Sequence, residues 1–169
     1  MNALAERYGD KLSILGFPCN QFGDQNNVKD EELLDFLKYV RPGKGFELHP
    51  GIMLFEKTAV NGANAAPVFK WMKEVLRFPS GGEADTRGNG CADDDILILP
   101  QESTMKVEGR EASVALWTPV CRSDIAWNFE KFLFSGEGNP VRRYSRFFDT
   151  NAITDDIDAL LEQCDHVEQ

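Results

Sequence analysis

Few side chains in this sequence are equipped to attack, coordinate or titrate near neutral pH. Four cysteines, Cys19, Cys91, Cys121 and Cys164, stand far apart, with no Cys-x-x-Cys pair and no histidines at zinc spacing. The two histidines, His49 before a Pro-Gly turn and His166 in the tail, leave any metal site short of the convergent ligands it needs, so no metal is expected. Isolated thiols fit a reducing compartment, and Cys19 reads as a structural thiol. Arg41 directly precedes Pro42 and reads as a charge complementing a helix C-terminus, while Arg142, Arg143 and Arg146 lie close together and read as solvated strand charges. By type alone Gln25 and Asn128 are surface amides and Trp127 is core packing.

The rest of the composition narrows the classes. A chain of 169 residues with 42% hydrophobic content suits one globular domain over 1–169. A net charge of −10 repels phosphate backbones, so nucleic acid is not expected as a partner. No apolar run reaches the ~18 residues that span a bilayer, and Met1 to Arg7 is helix-like and mixed in charge, unlike a signal peptide. No membrane is expected, and the location expected is cytoplasmic.

The elements that must position these side chains follow from periodicity. Met1 to Tyr8 reads as the end of a helix stopped at Gly9-Asp10. Leu12 to Phe17 suits a buried strand, and Pro18 to Asn27 a loop. An amphipathic helix is predicted over Lys29–Val40, with Leu33, Phe36, Leu37 and Val40 on one face and Arg41-Pro42-Gly43 as its stop. A strand follows near Met53–Phe55 and Val60, a turn at Asn61-Gly62, and a helix from Pro67 with Val68, Met72, Val75 and Leu76 inward. Glycines and acids, Asp93 to Asp95 among them, mark 79–113 as a flexible insertion, a solvated loop rather than a cation site, around a short apolar run at Ile96–Leu99. Val114–Trp117 is a second such run. Trp127–Phe134 and Val141–Ser145 form a predicted hairpin across Glu137-Gly138-Asn139-Pro140, and a last helix runs from Thr154 to Gln163, burying Ile157, Leu160, Leu161 and Cys164. This order means α/β with a mixed sheet flanked by helices.

Two runs carry a resemblance. Leu15-Gly16-Phe17-Pro18-Cys19-Asn20-Gln21-Phe22-Gly23-Asp24-Gln25 and Trp127-Asn128-Phe129-Glu130-Lys131-Phe132-Leu133 resemble signatures of the glutathione peroxidase family. Leu37 to Gly43, Thr118 to Asp124 and Arg142 to Arg146 resemble its cytosolic, tetrameric, selenium-type branch. The similarity covers nearly the whole chain except about Ser80 to Val114.

The resemblance implies a thioredoxin-like fold and a glutathione-dependent reduction of hydrogen peroxide and organic hydroperoxides. It assigns Gln25, Trp127 and Asn128 as catalytic donors around a selenocysteine or cysteine nucleophile. All three are neutral donors, which stabilise a developing anion without titrating themselves. It places Arg41 and Arg146, with Arg142 and Arg143 as neighbours, at the glutathione carboxylates; the family often has a second arginine where this chain has Phe147. Glutathione enters as a reducing co-substrate and no bound cofactor is implied. The helix Lys29–Val40 lacks the resolving cysteine of thioredoxin-dependent members. Lys38 to Phe46 resembles the assembly loop of tetrameric members, so a homotetramer is implied.

Met1-Asn2-Ala3-Leu4 resembles the later part of the helix that carries the family's nucleophile. The attacking residue, the first strand and the start of the first helix are therefore expected before Met1, as if a selenocysteine codon had been read as a stop. The chain as written is expected to be inactive. The competing reading is a non-catalytic thioredoxin-like remnant or binding subunit.

Overall fold

Residues 1–80, 106–107, 110–111 and 117–167 are described by a computed structural model. Their contacts gather in two units, Met1–Asn20 with Asp24–Thr58, and Gln21–Gly23 with Ala59–Gln169.

The first unit opens with α1 (Asn2–Tyr8), which buries Leu4, Ala5 and Tyr8 on one face. Gly9 ends it at φ 52°, backbone that a side chain rarely adopts, and donates its N–H to Ala5 O. The predicted stop is where the sequence places it. Asn2 fixes the start of α1, donating to Glu47 O at 2.8 Å and accepting from His49 N–H at 3.2 Å. Strands β1 (Ile14–Gly16) and β2 (Ile52–Leu54) pair in parallel, with Leu15 opposite Met53. Between them runs α2 (Leu33–Tyr39), preceded by a 3₁₀ turn at Asp30–Glu32. Leu33 is buried as expected, whereas Val40, expected on the inner face, is 66% exposed because the helix ends before it.

The second unit holds α3 (Pro67–Val75), with Pro67 at its first turn as read. Its buried face is Phe69, Met72 and Lys73; Val68 and Val75 face solvent, which corrects the predicted inner face. Both faces carry apolar residues, so periodicity alone does not choose between them.

Strands β3 (Lys106–Val107) and β4 (Arg110–Glu111) form a two-residue antiparallel ladder within the stretch read as an insertion. The run Ile96–Leu99, most of Val114–Trp117 and Asp93 to Asp95 lie outside the described residues. Strands β5 (Lys131–Phe134) and β6 (Pro140–Tyr144) make the predicted hairpin, with Phe132 opposite Arg143. Trp127 to Phe129, expected inside the strand, form a turn instead. The unit ends in α4 (Thr154–Val167), which buries Ile157 and leaves Cys164 exposed rather than inward. The fold is α/β, with one parallel and two antiparallel strand pairs among the described residues.

Candidate functional site

Trp127 and Asn128 are half-buried at the head of a turn that feeds β5. The turn closes where Ala126 donates its N–H to Glu130 Oε1 at 2.6 Å, and it passes through Phe129 at φ 66°. The Trp127 ring is bounded by two neighbours. Phe22 lies 5.7 Å away between ring centroids, and the Arg146 guanidinium carbon lies 5.7 Å from the Trp127 centroid. A cation at that distance over an indole is held by the ring quadrupole. Arg146 also lies 4.4 Å from the Phe147 ring. Phe147 thus presents a ring face to the guanidinium.

Phe22 is 2% exposed and meets Trp117 edge-on at 5.6 Å. Gln21 beside it accepts from the N–H groups of Val60 and Asn61 at 2.8 and 2.9 Å and donates to Asn61 O at 3.0 Å. The first glutamine of the motif is therefore a strut. Asn61, 1% exposed, accepts from Lys73 Nζ and Ile125 N–H, both at 2.9 Å, and donates to Ile125 O. Lys73 also donates to Asp124 Oδ1 at 2.8 Å, and Asp124 Oδ2 accepts from the Trp117 indole and Cys121 N–H. This buried network lines up the segments on either side of the turn. Gln21, Asp124 and Glu130 lie inside the family-like runs and Asn61 at the predicted Asn61-Gly62 turn, but the sequence assigns none of them, nor Lys73, a role of its own.

Arg143 requires a correction. Expected among the glutathione-binding arginines, it is 1% exposed. Its Nη2 lies 2.7 Å from Glu130 Oε2, its Nε donates to the same oxygen, and its other N–H groups donate to the carbonyls of Leu76, Arg77, Ser123 and Asp124. A guanidinium so enclosed has nothing left to offer a ligand. Burial pushes the Glu130 carboxyl above the usual carboxylate range, with Arg143 working against that rise. Burial lowers Lys131, which donates to the carbonyls of Ser145 and Phe148.

Arg142 is partly exposed and donates to Asp156 Oδ1 at 2.7 Å. In the first unit, Gln25 is half-buried in the loop after β1, and Arg41 is exposed after α2. In that loop Asn20 accepts from Asn26 N–H at 2.7 Å. The structure brings Trp127, Asn128 and Arg146 together in one unit; Gln25 and Arg41 belong to the other.

The chain is 50% identical over 164 residues to glutathione peroxidase 1 of Macaca fuscata fuscata, covering 96% of this chain and 70% of that protein. The chain belongs to the glutathione peroxidase family. Glutathione peroxidase 1 of Sus scrofa matches at 50% identity over 96% of this chain and 68% of its own length, and that of Mus musculus at 48% over 96% and 70%. The family model for glutathione peroxidase matches residues 1–73. A crystal structure of Trgpx in apo form aligns with a TM-score of 0.47 at 22% identity, over 95% of this chain and 64% of that one, so this chain spans less than two thirds of its length. Glutathione peroxidases are oxidoreductases with a thioredoxin-like fold. Among the described residues no helix is long and apolar enough to cross a membrane, and no group of acids, cysteines or histidines is arranged to hold a metal.

Proposed function

We propose that the complete product reduces hydrogen peroxide and organic hydroperoxides with glutathione. In that reaction the peroxide O–O bond breaks to give an alcohol or water and a hydroxide that takes up a proton. Two glutathione thiols supply the two electrons and become a disulfide. The observation that carries the reading is the 50% identity to a glutathione peroxidase 1 across 96% of this chain. It includes both runs that hold the proposed donors.

Gln25, Trp127 and Asn128 act as neutral hydrogen-bond donors to the nucleophile and to the charge that develops on the leaving oxygen. Arg146 and Arg41 receive the glutathione carboxylates. Arg142 contributes less, because Asp156 already occupies it. Arg143 is left out. The complete product works as a homotetramer in the cytoplasm, with glutathione as co-substrate and no bound cofactor.

The 169-residue polypeptide on its own turns over little peroxide, because the resemblance at Met1-Asn2-Ala3-Leu4 puts the attacking residue upstream of it. Coupling glutathione disulfide formation to NADPH loss tests both halves. The product expressed with the preceding reading frame, an in-frame UGA decoded as selenocysteine, is expected to turn over hydroperoxide, and the 169 residues alone are not. Substantial glutathione-dependent turnover by the 169 residues would refute the upstream nucleophile. Absence of turnover in both would favour a binding remnant.

A further inference from the structure

The groups that hold the turn carrying Trp127 take no part in the chemistry proposed above, yet they converge on it. Glu130 divides its two oxygens: Oε1 accepts the Ala126 N–H at 2.6 Å and Oε2 meets Arg143 at 2.7 Å. Both side chains are almost fully buried, 2% and 1% exposed. Arg143 is tied in turn to the carbonyls that follow α3, at Leu76 and Arg77, and to those of Ser123 and Asp124. One carboxylate therefore spans from the turn to a frame anchored at several points.

The turn needs such a tie. Phe129 sits at φ 66°, a conformation that is unfavourable for a bulky side chain and persists only where the surroundings impose it. The residue is 79% exposed and gives little packing in return. We infer that Glu130, anchored by Arg143, is the positioning residue that aims the Trp127 indole and the Asn128 amide at the reacting atoms. This inference rests on the proposed peroxidase reading for what those two groups do. For what holds them in place it rests on the hydrogen bonds alone. Neutral donors stabilise developing charge only when aimed beforehand, and a misplacement of ~1 Å costs on the order of a hundredfold in rate.

Glu130→Gln separates the two links. Its single carbonyl oxygen can accept from Arg143 or from Ala126 N–H, not from both, and the side-chain shape is kept. With the oxygen turned to the five-donor guanidinium, the amide nitrogen faces the Ala126 N–H and the turn is released. In the 169-residue chain, ¹⁵N-labelled indole signals are read for Trp71, Trp117 and Trp127, assigned by single Trp→Phe variants. The Trp127 signal is expected to shift and exchange faster in E130Q while the other two hold their places. Should E130Q not accumulate as folded protein, Glu130→Asp reads the same signal, since it keeps the charge at Arg143 but is one methylene short of Ala126.

In the complete product, E130Q is expected to lower the second-order constant for hydroperoxide about tenfold or more, with that for glutathione nearly unchanged. A Trp127 signal that stays put, or that moves only together with Trp71 and Trp117, overturns the inference, because a merely structural pair would behave so. If the complete wild-type product shows no turnover, the peroxidase reading fails by itself, and the indole signals still decide whether Glu130 holds the turn.

Discussion

In the second unit the β5·β6 hairpin turns Lys131, Leu133, Arg143 and Tyr144 inward, and each polar one ends on a defined partner. In the first unit the β1·β2 pair sets Leu15 against Met53, and these remain 47% and 52% exposed. Among the described residues both are two-stranded, and two strands alone are marginal in water. What distinguishes the hairpin is the set of buried and part-buried polar bonds tying it to the residues after α3, to α4 and to the turn at Trp127. The proposed donors in that turn therefore stand on the better-held of the two ladders, and the cost of disturbing a residue should follow that difference.

Arg143→Met should have the largest effect. It strands the Glu130 carboxylate and several carbonyls in the interior, a loss of about 3–5 kcal/mol. Met53→Ala, in the half-exposed pair, should cost under about 1 kcal/mol. Urea midpoints at a common m-value compare the two, and similar losses would erase the contrast. Gly62→Ala comes next. At φ 76° its new Cβ would lie 2.9 Å from Trp117 Cβ and 3.0 Å from Thr118 O, beside the Asn61 network. A loss of about 1–3 kcal/mol is expected by thermal melting.

The smallest effect is one of pH. Burial, and then its bond to Asp156, raises the Tyr144 hydroxyl well above the ordinary tyrosine value. The stability this contributes is complete below the unfolded value of about 10 and is lost as pH rises towards the folded one. Stability measured from about pH 9 to 11 should therefore fall less steeply in Tyr144→Phe than in the wild type. Equal slopes would show that the hydroxyl is not held as described.

Local signals made much of this legible. Gly9 ends α1, Pro67 starts α3, and the Gly138-Asn139 turn joins β5 to β6, each because backbone chemistry at one residue decides the matter. The errors fall where tertiary partners decide. Alternation through Trp127–Phe134 suggested a longer strand, but Glu130 reaches back to Ala126 and folds its first residues into a turn. Val68 and Phe69 are both apolar, and only packing chooses Phe69 as the buried one. Arg142 and Arg143 look alike in sequence, yet the pleat sends one to Asp156 at a part-exposed edge and the other into the interior. Gln21 and Gln25 are likewise indistinguishable by type. Gln21 proves to be a strut because the N–H groups of Val60 and Asn61, some forty residues on, come to meet it.

The account depends most on the Trp127 indole as a donor in hydroperoxide reduction. Stopped-flow oxidation of the reduced complete product, wild type against Trp127→Phe, measures that step alone. A fall of about tenfold or more in the hydroperoxide rate constant is expected, with the melting temperature little changed, because phenyl keeps the contacts to Phe22 and Arg146 but has no N–H. An unchanged rate constant in a folded Trp127→Phe would contradict the account.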